Sequence, residues 1–315
     1  MTTPVETRTP RSPAEHAAVE RLADRVEAAT GERPATGPDH PDGAEGPGTP
    51  TFAVWAPGRD VPAAYVRVTR PKARWEVELT VDPELRAESP DRAAELAVPA
   101  LAAARAAVAA RGGGRAYLWV PGVTGADDRM AAAAGFAPDR DLWQMTVTLP
   151  LPPDVRGGAP LPATRPFVAG KDEGPWVEVN NRAFAWHPEQ GGWTVDDLLV
   201  RAAEPWFDPE GFLLHERDGR LAGFCWTKVH ARHDPPLGEI YVIAVDPDFA
   251  GQGLGRGLTV AGLDHLARRG LTVGMLYVDA GNTPAVRLYE SLGFAHVQTN
   301  RAYAADVAPE PDGGP

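Results

Sequence analysis

The apolar positions of this chain fall into short blocks separated by Gly, Pro and Asp turns, with helical periodicity between some of them. The second half reads most clearly. It predicts a strand over 164–169 and a helix over 173–184. A second helix is expected over 195–203, opened by Thr194 as cap. A strand over 211–216 turns through Asp218-Gly219, a hairpin signal, into a strand over 221–229. A strand over 239–245, a helix over 253–269, a strand over 271–278, a helix over 283–292 and a last strand from Phe294 complete it. That order predicts an α/β fold with a mixed sheet covered by helices.

The first half repeats the pattern faintly. A helix is expected over 14–29, a strand pair near 51–55 and 63–69, a strand over 75–83, a helix over 92–111 and a strand over 115–120. Val81-Asp82-Pro83 parallels Val245-Asp246-Pro247, and Gly135-Phe136 parallels Gly293-Phe294. These parallels predict an internal duplication. The expected organisation is a degenerate first domain over 14–149, a Pro-rich linker over 150–163, a second domain over 164–304 and a disordered tail over 305–315. Disorder is also expected over 1–13, and a long loop over 30–51.

Composition narrows the function classes. The chain has 315 residues, 43% of them hydrophobic, which suits two domains with sizeable cores. A net charge of -12 argues against nucleic-acid and anionic-membrane partners, which need clustered Lys and Arg. No apolar run approaches the ~20 residues of a membrane span. The first residues lack the apolar region of a signal peptide. A single cysteine, Cys225, excludes an internal disulfide framework, and the expected location is the cytoplasm. The expected state is a monomer. Lysine occurs only at 72, 171 and 228 among many Arg and Ala, which points to a G+C-rich genome rather than to mechanism.

The strand over 239–245 runs into Ala250-Gly-Gln-Gly-Leu-Gly-Arg256 and then a helix. A glycine turn at a helix start is an anion site, because unpaired N–H groups and the helix dipole point at the ligand. A P-loop would need Lys-Ser or Lys-Thr after its last glycine, and Arg256-Gly257 follows instead. A dinucleotide fingerprint needs a different glycine rhythm. The block from Glu239 through this loop to Asn282-Thr-Pro-Ala-Val-Arg-Leu-Tyr-Glu-Ser-Leu-Gly-Phe294 resembles the GNAT acetyltransferase superfamily. One departure is Ala250, where the superfamily loop begins with Gln or Arg. The resemblance implies acetyl-CoA held by Ile243, Ala244, Val245, by Ala250, Gly251, Gln252, Gly253, Leu254, Gly255, Arg256, and by Asn282, Thr283, Pro284, Ala285, Val286 and Arg287. The first half has acidic, glycine-free Pro83–Arg92 at the loop position, which should repel a pyrophosphate.

Acetyl transfer to an amine needs a base for the ammonium, donors for the oxyanion and an acid for the departing thiolate. Glu239 is the candidate base, set against a solvated strand-end glutamate. Tyr289, about two helical turns after Asn282, is the candidate acid, set against a packed helix tyrosine. Cys225 lies in an apolar strand without His or Asp at suggestive spacing and reads as a buried structural thiol. His230, His233 and Asp234 form no second cluster, so no metal is expected. The segment 180–194 carries Trp186, His187, Glu189, Gln190 and Trp193, which suit a polyhydroxylated ligand.

With that segment, Trp226-Thr-Lys-Val-His230, Gly238-Glu-Ile-Tyr-Val242 and Leu276-Tyr-Val278, the second half is similar to the mycothiol synthase family, tandem-GNAT enzymes of actinobacteria. The resemblance implies acetylation of the cysteinyl amine of desacetylmycothiol. Glu189, Lys228, Glu239 and Tyr277 would then contact the acceptor, with Glu239 as base and Tyr289 as acid. An acidic acceptor contact near the N-terminus would fall on Asp39. The alternatives are a GNAT acting on another small amine or a protein N-terminus, and a GNAT-like sensor or scaffold. Retention of Glu239, Tyr289 and the loop argues against the scaffold.

Overall fold

The computed structural model describes residues 5–31, 33–34, 49–71, 74–157, 161–185 and 191–310. They form two compact units, Met1–Leu142 with Gln298–Pro315, and Trp143–Val297.

The first unit opens with β1 (Glu6–Arg8), which pairs antiparallel with β2 (Thr51–Trp55). Residues 6–8 are therefore a strand, not the disordered lead expected over 1–13; ladder hydrogen bonds hold them. α1 (Pro13–Thr30) starts at a capping box between Ser12 and Glu15 and stops at Gly31, which takes the left-handed conformation. β3 (Ala64–Thr69) and β4 (Trp75–Val81) follow. Next come α2 (Pro83–Glu88), α3 (Pro90–Ala109), β5 (Gly114–Val120), α4 (Gly125–Ala133) and β6 (Ala137–Thr148), whose second half enters the other unit. The sequence reading missed β1, α2, α4 and β6. α2 is short, and α4 is alanine-rich with little amphipathic contrast.

The second unit continues with one-turn α5 (Pro153–Arg156), β7 (Arg165–Pro166), α6 (Glu173–Ala183), α7 (Val195–Ala202), β8 (Phe212–Arg217) and β9 (Arg220–His230). Then come β10 (Leu237–Val245), α8 (Leu254–Arg268), β11 (Val273–Asp279), α9 (Thr283–Ser291) and β12 (Ala295–Val307). From Gln298 β12 belongs to the first unit, so residues 305–307 are a strand paired with β5 and not part of the disordered tail expected over 305–315. Thr194 caps α7 through Asp197, and Asp218 and Gly219 both have positive φ, the primed hairpin turn that Asp-Gly favours. Leu149 and Leu151, at the start of the Pro-rich stretch, are buried in this unit's core.

Sheet order in the first unit is β1-β2-β3-β4-β5-β12, and in the second β6-β11-β10-β9-β8-β7. β4 and β5 are parallel, as are β10 and β11, and the remaining described pairings are antiparallel. Each unit thus carries a mixed α/β sheet. Local bonding repeats between them. Asp82 N donates to Ala63 O (3.1 Å) and Asp246 N to Ala222 O (2.9 Å). Phe136 N donates to Ala131 O (2.8 Å) and Phe294 N to Tyr289 O (3.1 Å), each after a left-handed glycine closing a helix.

Aligned on those features, and with the bulge in β10 between Ile240 and Val242 counted, Glu76 takes the place of Glu239 and Trp75 that of Gly238, while Ala131 takes that of Tyr289. Where the second unit has its glycine turn, the first has α2, capped by Asp82. Arg86 of α2 donates to Asp127 on α4 (2.8 Å) and to Gly122 O (3.3 Å). The first unit therefore lacks the candidate acid and the open cradle, and its Glu76 is paired with Arg74 (2.8 Å).

Candidate active site

The site is assembled in the second unit around β10. β10 pairs with β11 in parallel register from Leu237↔Val273 to Ile240↔Leu276, and no ladder pair joins residues 242–245 to β11. On its other edge β10 pairs with β9, with a bulge between Ile240 and Val242. Alternation along a strand sends successive side chains to opposite faces, and a bulge shifts that count by one. Ile240, Ile243 and Val245 accordingly join the core under α8 and α9, whereas Tyr241, Val242 and Ala244 join the aromatic core with Trp176, Trp206 and Trp226.

Glu239 lies on the aromatic face. It stands opposite Lys228 in the β9–β10 register and is 5% exposed. Its Oε2 is 2.7 Å from His230 Nε2. The Lys228 ammonium lies over the rings of Trp206 (4.9 Å) and Tyr241 (5.6 Å), a cation–π seat. Leu276 and Val278 of β11 belong to the opposite core, so half-buried Tyr277 faces the same side as Glu239. Lys228, Glu239 and Tyr277 are thus brought to one face. Glu189 and Asp39 lie outside the described residues, as do Trp186, His187 and Gln190. Trp193 packs edge-on against Trp176 (5.6 Å), and Asn181 bonds both its N–H (2.9 Å) and its carbonyl (2.8 Å).

Tyr289 lies on α9, buried in the other core with Cys225 and Ile240. Burial pushes its phenol above the ordinary tyrosine value, with the neighbouring Cys225 adding to the shift. The phenol therefore stays protonated at neutral pH, as a proton donor requires. Burial also pushes the Cys225 thiol up to about 12, which removes its nucleophilic form.

The glycine turn has the geometry of an anion cradle. Gly251 and Gly253 both have left-handed φ (75° and 77°), which side chains other than glycine rarely adopt. Gly253 is the N-cap of α8 and supplies no side-chain cap, and the first turn holds no acidic residue. The first N–H groups of α8, those of Leu254, Gly255 and Arg256, precede its internal ladder and have no partner within it. The Arg256 side chain is committed elsewhere, to Ser291 Oγ (2.8 Å) and Val155 O (2.6 Å), so its contribution at this turn is its N–H. Asn282 caps α9 by accepting from Ala285 N–H (3.3 Å), which leaves its amide N–H groups as donors. Arg287 is exposed on α9. These groups fit a phosphorylated ligand.

Three residues of the site escaped the sequence reading. His230 is the last residue of β9 rather than part of a loop, and its position diagonal to Glu239 could be found only from register. Trp206 and Tyr241, which seat Lys228, come from a connection and from the bulge. Among the described residues no group of three or more His, Cys, Asp and Glu could hold a metal ion. No described helix is long and apolar enough to cross a membrane.

Comparison with known proteins gives a consistent picture. Residues 179–294 match the Acetyltransferase (GNAT) family. The chain is 55% identical over 195 residues to a mycothiol acetyltransferase of Thermobispora bispora, a match covering 60% of this chain and 65% of that protein. It is 42% identical over 283 residues to the mycothiol acetyltransferase of Kocuria rhizophila, covering 87% of this chain and 90% of that one. Among solved structures, a tandem GNAT protein from the clavulanic acid biosynthesis pathway superposes with a TM-score of 0.60 at 16% identity, over 98% of this chain and 100% of the other. That likeness extends the tandem GNAT fold across the whole chain.

Proposed function

The chain belongs to the mycothiol acetyltransferase family, and from that premise we propose that it moves acetyl from acetyl-CoA to the cysteinyl amine of desacetylmycothiol. The observation that carries this reading is the placement of Glu239 and Tyr289 on opposite faces of the sheet where β10 and β11 cease to pair, beside an uncapped helix start.

Glu239 removes a proton from the acceptor ammonium, directly or through one water. An α-amine titrates near pH ~8, so a carboxylate needs to supply only modest driving force at neutral pH. Backbone N–H groups along Ile243–Val245 polarise the acetyl carbonyl, and the turn Ala250–Arg256 cradles the pyrophosphate. Asn282 to Arg287 line the pantetheine side. Tyr289 gives its proton to the departing thiolate, so the amide forms as the thioester bond breaks. Lys228 and Tyr277 hold the sugar and inositol oxygens, with Glu189 and Asp39 as further acceptor contacts. The single glycine turn supports one cofactor site per chain, in the second unit.

The test is an assay of the purified protein with acetyl-CoA and a panel of amines: desacetylmycothiol, glucosamine, an aminoglycoside and peptides with free N-termini. CoA release should be fastest with desacetylmycothiol, with a product heavier by one acetyl group. Faster turnover of a peptide or aminoglycoside would replace this substrate. A chain that binds acetyl-CoA and acetylates nothing would revive the sensor reading.

A further inference from the structure

The proposed chemistry uses Glu239 and leaves its closest polar neighbour, His230, without a role. Their side chains are 7% and 10% exposed, and Nε2 to Oε2 is 2.7 Å. The contact is diagonal across β9 and β10, since Lys228 stands opposite Glu239 and Leu237 opposite His230. Lys228 carries its charge to the rings of Trp206 and Tyr241, and among the described residues His230 gives this carboxylate a side-chain hydrogen bond. On its other side the His230 ring meets His233 at right angles, with centroids 5.7 Å apart, which restrains the imidazole plane.

We propose that His230 is the positioning residue of the base: it donates Nε2–H to Glu239 Oε2 and so aims Oε1 at the acceptor nitrogen. An ionised carboxylate only accepts hydrogen bonds, so the contact selects the tautomer with hydrogen on Nε2. A carboxylate without a donor would be free to turn about its last torsion and would carry the cost of an unsatisfied buried charge. The imidazole N–H fixes the carboxylate with one directed hydrogen bond. Lys228, directly opposite Glu239 on β9, is kept from that role by its aromatic seat.

The inference rests on Glu239 as base, and the experiment separates the two. Steady-state kinetics are measured on the full chain with acetyl-CoA and desacetylmycothiol for H230F, H230Q, E239Q and H230F/E239Q, with thermal melting of each. H230F keeps a planar ring and removes the donor, and kcat should fall about 10- to 100-fold, the scale of one hydrogen bond to a charged group. The KM for acetyl-CoA should stay within about twofold. H230Q places an amide N–H at the same reach and should recover most of the lost rate. In the E239Q background, H230F should cost nothing further, because there is no base left to aim. Should H230F fail to fold, His230→Asn, one methylene shorter than Gln, takes its place with the same expectations. An undiminished kcat in H230F, equal defects in H230F and H230Q, or multiplying effects in the double variant would each overturn the positioning role. Near-full activity of E239Q would instead overturn Glu239 as base.

Discussion

Glu239 and Tyr289 sit on opposite faces of the second unit's sheet, Glu239 beside Lys228 and His230 on the aromatic side, Tyr289 in the core under α8 and α9 with Cys225. Just past Glu239 on β10 come the end of β10–β11 pairing at Ile240↔Leu276 and the bulge between Ile240 and Val242. A thioester lying in that opening would have the proposed base on one side and the proposed acid on the other.

Tyr289→Phe should lower kcat about 100-fold or more, the usual scale for a positioned proton donor. The ring would still pack against Phe294, 5.7 Å away between centroids, so the Kd for acetyl-CoA should change little. A binding defect as large as the rate defect would make the tyrosine a cofactor-binding residue.

Gly253→Glu combines a side chain at a left-handed φ of 77° with a negative charge in the cradle. Calorimetry on the native chain should give one acetyl-CoA site, and on the variant none that is tight. Two equivalent sites per chain would contradict the reading of the first unit, where α2 and the Arg86–Asp127 pair occupy the corresponding place.

Lys228→Ala should raise the KM for the acceptor far more than that for acetyl-CoA. Loss of one hydrogen bond to a charged group costs about 1.5–3 kcal/mol, roughly 10- to 150-fold. Equal changes in both constants, or none, would assign Lys228 to packing on Trp206 and Tyr241.

Cys225 should resist thiol reagents in the folded protein at pH 8 and react once the chain is unfolded. Its folded thiol titrates near about 12 against an ordinary value of 9.0, because burial disfavours the thiolate. Between those values the unfolded chain releases a proton that the folded chain keeps. This site's contribution is therefore intact below pH 9 and is lost as pH rises toward about 12. Rapid labelling of the native protein at pH 8 would contradict its burial.

Much of the second unit was legible because its signals are local. Asp218-Gly219 marks the hairpin, Thr194 with Asp197 marks the start of α7, and Gly253 marks the start of α8. Glu239, Tyr289 and the glycine turn were singled out through the resemblance of their local motifs. What escaped depends on register or on weak patterns. His230 meets Glu239 only through strand pairing, and Trp206 meets Lys228 across a connection. α4 is alanine-rich, and three of its four buried positions are Ala or Asp, so apolar periodicity did not reveal it. The contact of Trp193 with Trp176 was not legible because Trp176 lies on a different element.

The most direct test of the central claim is the pH profile of Glu239→Gln with desacetylmycothiol as acceptor. Glutamine keeps the shape and removes the basicity. At pH 7 kcat/KM should fall by about 100- to 10,000-fold. The deficit should shrink as pH rises above ~8, where the acceptor amine is already free. Near-native activity of the variant at pH 7, or a deficit that stays constant to high pH, would contradict Glu239 as the base.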